Sequence, residues 1–153
     1  MIDDLLSLAD RLAKASPNKP RQADLRRAIS TAYYALFHAL ARNVADTMVG
    51  VVKKNRSEKA WAHAYRGLDH GFAKSACEAV RNLNFPQQIK DRADAFVELQ
   101  LARHAADYDP LHRLTRAKAI LFVQTAEDAV RKLRTARSKD RRALAVQVLV
   151  KKR

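Results

Sequence analysis

A chain of 153 residues with 30 Lys and Arg against 16 Asp and Glu carries a formal charge of +14, which favours nucleic acid, nucleotides or an acidic protein over a neutral ligand as partner. Three Gly and four Pro give too little turn punctuation for a β-sandwich or barrel, while the abundant Ala, Leu, Arg and Lys lose little rotamer freedom in a helix and predict an all-α domain. The lone Cys77 excludes an internal disulfide and a cysteine zinc cage, and no run approaches the roughly 18 apolar residues of a membrane span.

The start, Met1-Ile2-Asp3-Asp4, lacks the basic head of a secretory signal, so a cytoplasmic address is expected. Ile2, Leu5, Leu6, Ala9, Leu12 and Ala13 then recur at helical spacing until Ser16-Pro17-Asn18-Lys19-Pro20 stops them. From Arg21 to about Thr47 runs the strongest helical signal, with Leu25, Ile29, Ala32, Leu36, Ala39 and Leu40 on one face and Tyr33 and Phe37 at its edge. This predicts a central helix with Tyr33 in the core. At about 100° per residue, Arg27, Thr31, Tyr34, His38 and Arg42 form one polar stripe along it, a candidate site wall.

Met48 to Arg56, with Gly50 and Lys53-Lys54-Asn55-Arg56, reads as a basic loop, and Ser57 as the N-cap of a third helix running to about Arg81. On that helix His63, Arg66 and His70 recur at three and four, a face that could hold a metal or a phosphate. Asp69 points about 100° from His70 and no third ligand joins the two histidines, so neither a metal nor another cofactor is expected. Gly67 and Gly71 suit close approach of another helix.

Asn82 to Pro86 breaks the pattern, and Pro86 suits the first turn of a fourth helix that carries Ile89, Ala93, Phe96, Val97 and Leu101 inward before Arg103 and Asp107. Asp109-Pro110 reads as the N-cap and first position of a long fifth helix, which Leu114, Leu121, Phe122, Thr125, Ala126, Ala129 and Leu133 mark. Beyond Arg137 amphipathicity is lost. Ten of the basic residues fall in 131–153 against one acid, Asp140, and the apolar run Ala143 to Val150 could be a helix, a strand or a sticky tail. Packing on the body or on a second subunit is favoured over an anionic membrane surface, because no broad amphipathic face accompanies the run. The organisation expected is a bundle of about five helices over 1–137 and a basic, apolar tail over 138–153.

Two segments stand out together: Arg27-Ala28-Ile29-Ser30-Thr31-Ala32-Tyr33-Tyr34-Ala35-Leu36-Phe37-His38-Ala39, and Arg103-His104-Ala105-Ala106-Asp107-Tyr108-Asp109-Pro110. The first resembles the S-x-A-Y-Y-A-x-F-H helix of the HEPN superfamily, and the second the R-x-x-A-D-Y segment of its small stand-alone members. The resemblance covers about 23–133. It implies an up-and-down bundle that usually dimerises, with polar helix ends lining a cleft. Many members are metal-independent RNases serving as toxins or in defence systems, and others bind RNA or nucleotides without cleaving. Nuclease members carry an Arg followed, after four to six residues, by His. From Arg103 that spacing reaches Tyr108, Asp109 and Pro110, so the His is missing and activity as an enzyme stays open. Arg56 and His63 meet the spacing but sit in the loop and early third helix, where an Arg-rich chain gives chance matches.

Metal-independent RNA cleavage needs a base at the 2′-hydroxyl, an acid at the leaving oxygen and a cation on the phosphate. Arg103 is the candidate cation, and His104 and His38, or the same residues of a second subunit, are the candidate acid and base. Asp107, four residues after Arg103, can orient its guanidinium as an ion pair. Tyr34 can hydrogen-bond Asp107 or stack on a base, and Tyr108 faces the same choice. The candidate phosphate-binding set is therefore Arg27, Tyr34, Arg103, Asp107 and Tyr108, with Lys53, Lys54 and Arg56 adding charge. The first functional reading is a dimeric module binding RNA or a nucleotide. The alternatives are an endoribonuclease toxin and an interaction module pairing with an acidic antitoxin or nucleotidyltransferase. No Gly-rich phosphate loop, nucleophile elbow or zinc-protease motif points to another chemistry.

Overall fold

The computed structural model describes residues 1–151, so Lys152 and Arg153 of the basic terminus lie outside the described residues. Within 1–151 the chain is an all-α bundle of seven helices with no strand: α1 (Ile2–Lys14), α2 (Gln22–Met48), α3 (Glu58–Arg66), α4 (His70–Val80), α5 (Gln87–Tyr108), α6 (Arg116–Thr135) and α7 (Ser138–Leu149). A 3-10 turn over Lys53–Asn55 lies in the basic loop. None of the helices is long and apolar enough to cross a membrane.

α2 is the axis of the fold and packs against α1, α3, α5, α6 and α7. Alanines at 28, 32, 35, 39, 41 and 45 are buried around it and let neighbours approach from several sides, as expected of a helix apolar on most of its circumference. α1 carries Asp3 and Asp4 in its first turn and Arg11 and Lys14 in its last, matching the helix dipole, and buries Ile2, Ala9 and Ala13. Tyr33, Phe96, Leu25 and Ile29 are among the largest fully buried side chains.

The expected third helix is two helices. Gly67 closes α3, and the Asp69 carboxylate accepts the Phe72 N–H at 2.7 Å to start α4. Ser57 caps α3 as its sequence suggests, accepting from the Ala60 N–H at 3.2 Å. The break removes His70 from the face of His63 and Arg66. Close approach does occur at Gly67, where an added Cβ would stand 3.4 Å from Leu149 Cδ1 of α7.

The restart at Asp109-Pro110 is also displaced. Asp109 ends α5, and its carboxylate and carbonyl accept from the Leu111 and His112 N–H groups in a turn. Arg26 of α2 donates to the carbonyls of Ala106, Asp109 and His112, satisfying the end of α5 and fixing the loop. α6 begins only after Thr115, whose hydroxyl accepts from the Lys118 N–H. Leu101, expected inward, is 55% exposed. Leu101 sits about 140° around α5 from the buried Phe96, and Leu99 takes the inward position instead.

The apolar run near the C-terminus is a helix. α7 buries Leu144, Ala145 and Val148 in the common core and packs on α2 and α4. Asn43 of α2 ties it down by donating to the Arg141 carbonyl at 2.9 Å. Cys77 is buried in the core, where burial pushes its thiol up to about 12.

Candidate functional site

Positions 30, 34 and 38 recur at four-residue steps on α2, and 103 and 107 do so on α5, so packing of α2 on α5 brings two polar rows together. Arg103 Nη2 donates to the Tyr34 hydroxyl at 3.1 Å, and its Nε lies 3.0 Å from Asp107 Oδ2. The buried Ser30 hydroxyl donates to Asp107 Oδ1 at 2.6 Å. Tyr34 thus joins Asp107 through Arg103 and not directly. The guanidinium carbon is 5.7, 5.6 and 5.5 Å from the ring centres of Tyr33, Tyr34 and Tyr108, within cation–π range.

Only 18% of the Arg103 side chain is exposed. Burial works against its charge, but the Tyr34 hydrogen bond and the nearby Asp107 carboxylate hold its pKa above the ordinary value. One Nη2 proton is engaged by Tyr34, so the fork of five N–H groups retains donors for an incoming anion.

His70 joins this cluster, although the sequence reading grouped it with His63. As the first residue of α4 it stacks on Phe37, with ring centres 3.8 Å apart and planes 14° apart, and meets Tyr34 edge-on. Its Nδ1 is 2.6 Å from the Tyr33 hydroxyl, and its carbonyl accepts from Gln100 Nε2 of α5. Burial, then the charge of Arg103, hold the His70 pKa below the ordinary value, with Asp69 opposing. A second half-buried histidine, His38, stands one turn beyond Tyr34, with Nδ1 2.6 Å from the Tyr65 hydroxyl of α3. Burial lowers its pKa as well.

The remaining candidates are spread out. His104, expected as acid or base, is exposed and packs on Tyr108, with ring centres 4.9 Å apart, on the outer side of α5. Its neighbour Arg103 faces inward because successive helical positions diverge by about 100°. Arg27 is exposed one turn before Ser30; Arg26, which the polar stripe omitted, is the residue bound to the α5 terminus. Lys53 and Lys54 are exposed on the 3-10 turn.

Arg56 is not available for phosphate as expected. Its side chain is 6% exposed, pairs with Glu58 at 2.8 Å and Asp46 at 3.5 Å, donates to the carbonyls of Gly50 and Val51, and covers the Trp61 ring at 4.4 Å. Asp46 also accepts from Trp61 Nε1, so the arginine fastens the loop to α2 and α3. Tyr34 and Asp46 are twelve residues apart on α2, about 18 Å along its axis, which separates this loop from the Arg103 cluster.

The arrangement combines a partly shielded, pre-oriented cation, aromatic faces and two histidines inclined to stay neutral. Such a set can hold a phosphate and stack a base, and a neutral imidazole can accept a proton. Among the described residues, no three His, Cys, Asp or Glu side chains gather as a metal site would require. No family model, curated protein or solved structure matches the chain.

Proposed function

We propose that the chain is a HEPN-type module that binds single-stranded RNA, with a backbone phosphate on Arg103 and a base against Tyr34 or Tyr108. The observation that carries this reading is the orientation of the Arg103 guanidinium by Tyr34 and Asp107 within a ring of aromatic side chains. The +14 charge adds long-range attraction. Titrating the chain into a fluorescent RNA oligonucleotide tests it. Affinity should fall with log salt by about 0.7 per phosphate contact, and Arg103→Gln should weaken binding about tenfold or more, the range of a charged hydrogen bond. No binding at low salt, or equal binding by Arg103→Gln, overturns the reading.

A metal-independent endoribonuclease is the second reading, favoured by one observation: His70 lies against Tyr33 and Tyr34 beside Arg103, where no His follows Arg103 at the expected spacing. A neutral His70 is suited to take the 2′-hydroxyl proton while Arg103 holds the phosphate; the 2′-oxygen bonds to phosphorus, the P–O5′ bond breaks, and the 5′-oxygen departs as an alcohol with a proton from water, leaving a 2′,3′-cyclic phosphate. This reading expects cleavage in EDTA that is lost in His70→Asn. RNA that is bound and left intact decides for the binding module.

A further inference from the structure

We propose that a second site, an arginine-lined cavity where α1, α2, α6 and α7 meet, binds a nucleoside polyphosphate. The cavity is open on one side to solvent and has a volume of about 540 Å³, within the ~300–1,000 Å³ typical of small-ligand sites. Arg42, Arg134, Arg141 and Arg142 line it against one carboxylate, Asp46. It shares no residue with the Arg103 cluster and does not rest on the RNA reading.

The four arginines differ in how far they are already satisfied. Arg42 pairs with Asp46 at 3.5 Å and Arg134 with Asp3 at 2.7 Å. Arg141 and Arg142 have no ion-pair partner among the described residues. The Nε of Arg141 is buried without a hydrogen-bond acceptor, while its carbonyl is held by Asn43. Arg92, Arg103 and Arg116 also have a buried Nε without a hydrogen-bond acceptor, so the distinction of Arg141 is that it lines the cavity, where its terminal N–H groups, which make no hydrogen bond among the described residues, can meet an anion.

The start of α7 strengthens this end of the cavity. Ser138 lines it and is the first residue of a twelve-residue helix whose N-terminus has no side-chain cap. Its opening amides and dipole favour negative charge there. Asp140, the acid of that first turn, is engaged with Arg137 at 2.8 Å and does not line the cavity. The buried Ile2, Ala39 and Leu133 supply an apolar surface that bare phosphate would leave unused and a nucleobase can cover. Phosphates therefore belong at Arg141, Arg142 and Ser138, with the base on the apolar side.

Calorimetry with the full chain in EDTA at low salt, using ATP, inorganic triphosphate and adenosine as probes, tests the proposal. ATP should bind with one site per chain and at least tenfold more tightly than either of the other two. Arg142→Ala should weaken ATP about tenfold, one charged contact. Ser138→Glu should weaken it by more than tenfold without lowering the melting temperature, because a carboxylate suits the first turn of a helix but repels phosphate. Arg103→Gln should leave ATP binding unchanged. Absence of ATP binding, triphosphate binding as tightly as ATP, or loss of binding in Arg103→Gln but not in Ser138→Glu overturns it. RNA binding that fails in Arg103→Gln while ATP still binds bears on the first site alone.

Discussion

Arg56 and Arg103 carry the same charge and similar burial, yet their removal should produce opposite patterns. Truncating Arg56 to Ala removes hydrogen bonds to two loop carbonyls and a guanidinium stacked at 4.4 Å on Trp61. Each carbonyl bond is worth about 1 kcal/mol and the stacking about 0.5–1 kcal/mol. The exposed Glu58 end adds little, and Asp46 retains Trp61 Nε1 and Arg42, so no charge is left orphaned. The expected loss is about 2–3 kcal/mol, which at an m-value near 2 kcal/mol/M lowers the urea midpoint by about 1 M. Under native conditions RNA affinity should change little. Arg103→Ala should instead weaken RNA at least tenfold with a smaller stability loss, about 1–2 kcal/mol, because Asp107 keeps the Ser30 hydroxyl. Circular dichroism in urea and RNA anisotropy on both variants separate the cases. An unchanged midpoint in Arg56→Ala, together with an RNA loss matching that of Arg103→Ala, would refute the assignment of Arg56 to the scaffold.

Three further outcomes follow from burial. The folded-state pKa values of His38 and His70 are depressed, so the unfolded chain binds protons more readily; stability should be full above about pH 6.5 and fall as pH drops through that value toward the folded pKa values. Melting temperatures at pH 7.5 and 5.5 check the sign, and His70→Asn should shrink the difference. Leu144→Ala, 2% exposed in α7, should cost about 2–4 kcal/mol in urea unfolding, whereas a loosely attached tail would show almost no change. Cys77, its thiol raised to about 12, should resist a thiol reagent in native buffer and react once the chain is unfolded.

The all-α class and the central helix were legible because period and propensity agree over long stretches, as on α2. The displaced boundaries were not, for local reasons. Asp109-Pro110 has the form of a helix start, but Arg26 binds the surrounding carbonyls from 83 residues away in sequence and holds a loop there. Gly67-Leu68-Asp69 was legible in principle, since Asp69 is a good N-cap; the apolar spacing continuing across it masked the break. The Arg103, Asp107 and Tyr34 grouping follows from helical spacing and the segment resemblance. Arg56 shows the limit of reading charge from composition: only the fold reveals which cations are already enclosed.

His70 joins the Arg103 cluster across helices, which a count along one helix cannot find, and Asp69 both sets its position at the start of α4 and partly offsets the burial and the Arg103 charge that lower its proton affinity. The Asp69 carboxylate caps α4 through the Phe72 N–H and also favours the charged form of His70. These effects can be separated because Asn caps a helix about as well as Asp but carries no charge. Asp69→Asn should leave the melting temperature nearly unchanged while the His70 pKa, followed by NMR titration of its ring, moves further down. Asp69→Ala should lower the same pKa and also cost about 1 kcal/mol through loss of the cap. Because Arg103 pushes in the opposite sense to Asp69, Arg103→Gln should raise the His70 pKa. A His70 pKa that ignores both Asp69→Asn and Arg103→Gln would mean that its ring does not share the electrostatic environment of the cluster, and the endoribonuclease reading would lose its base.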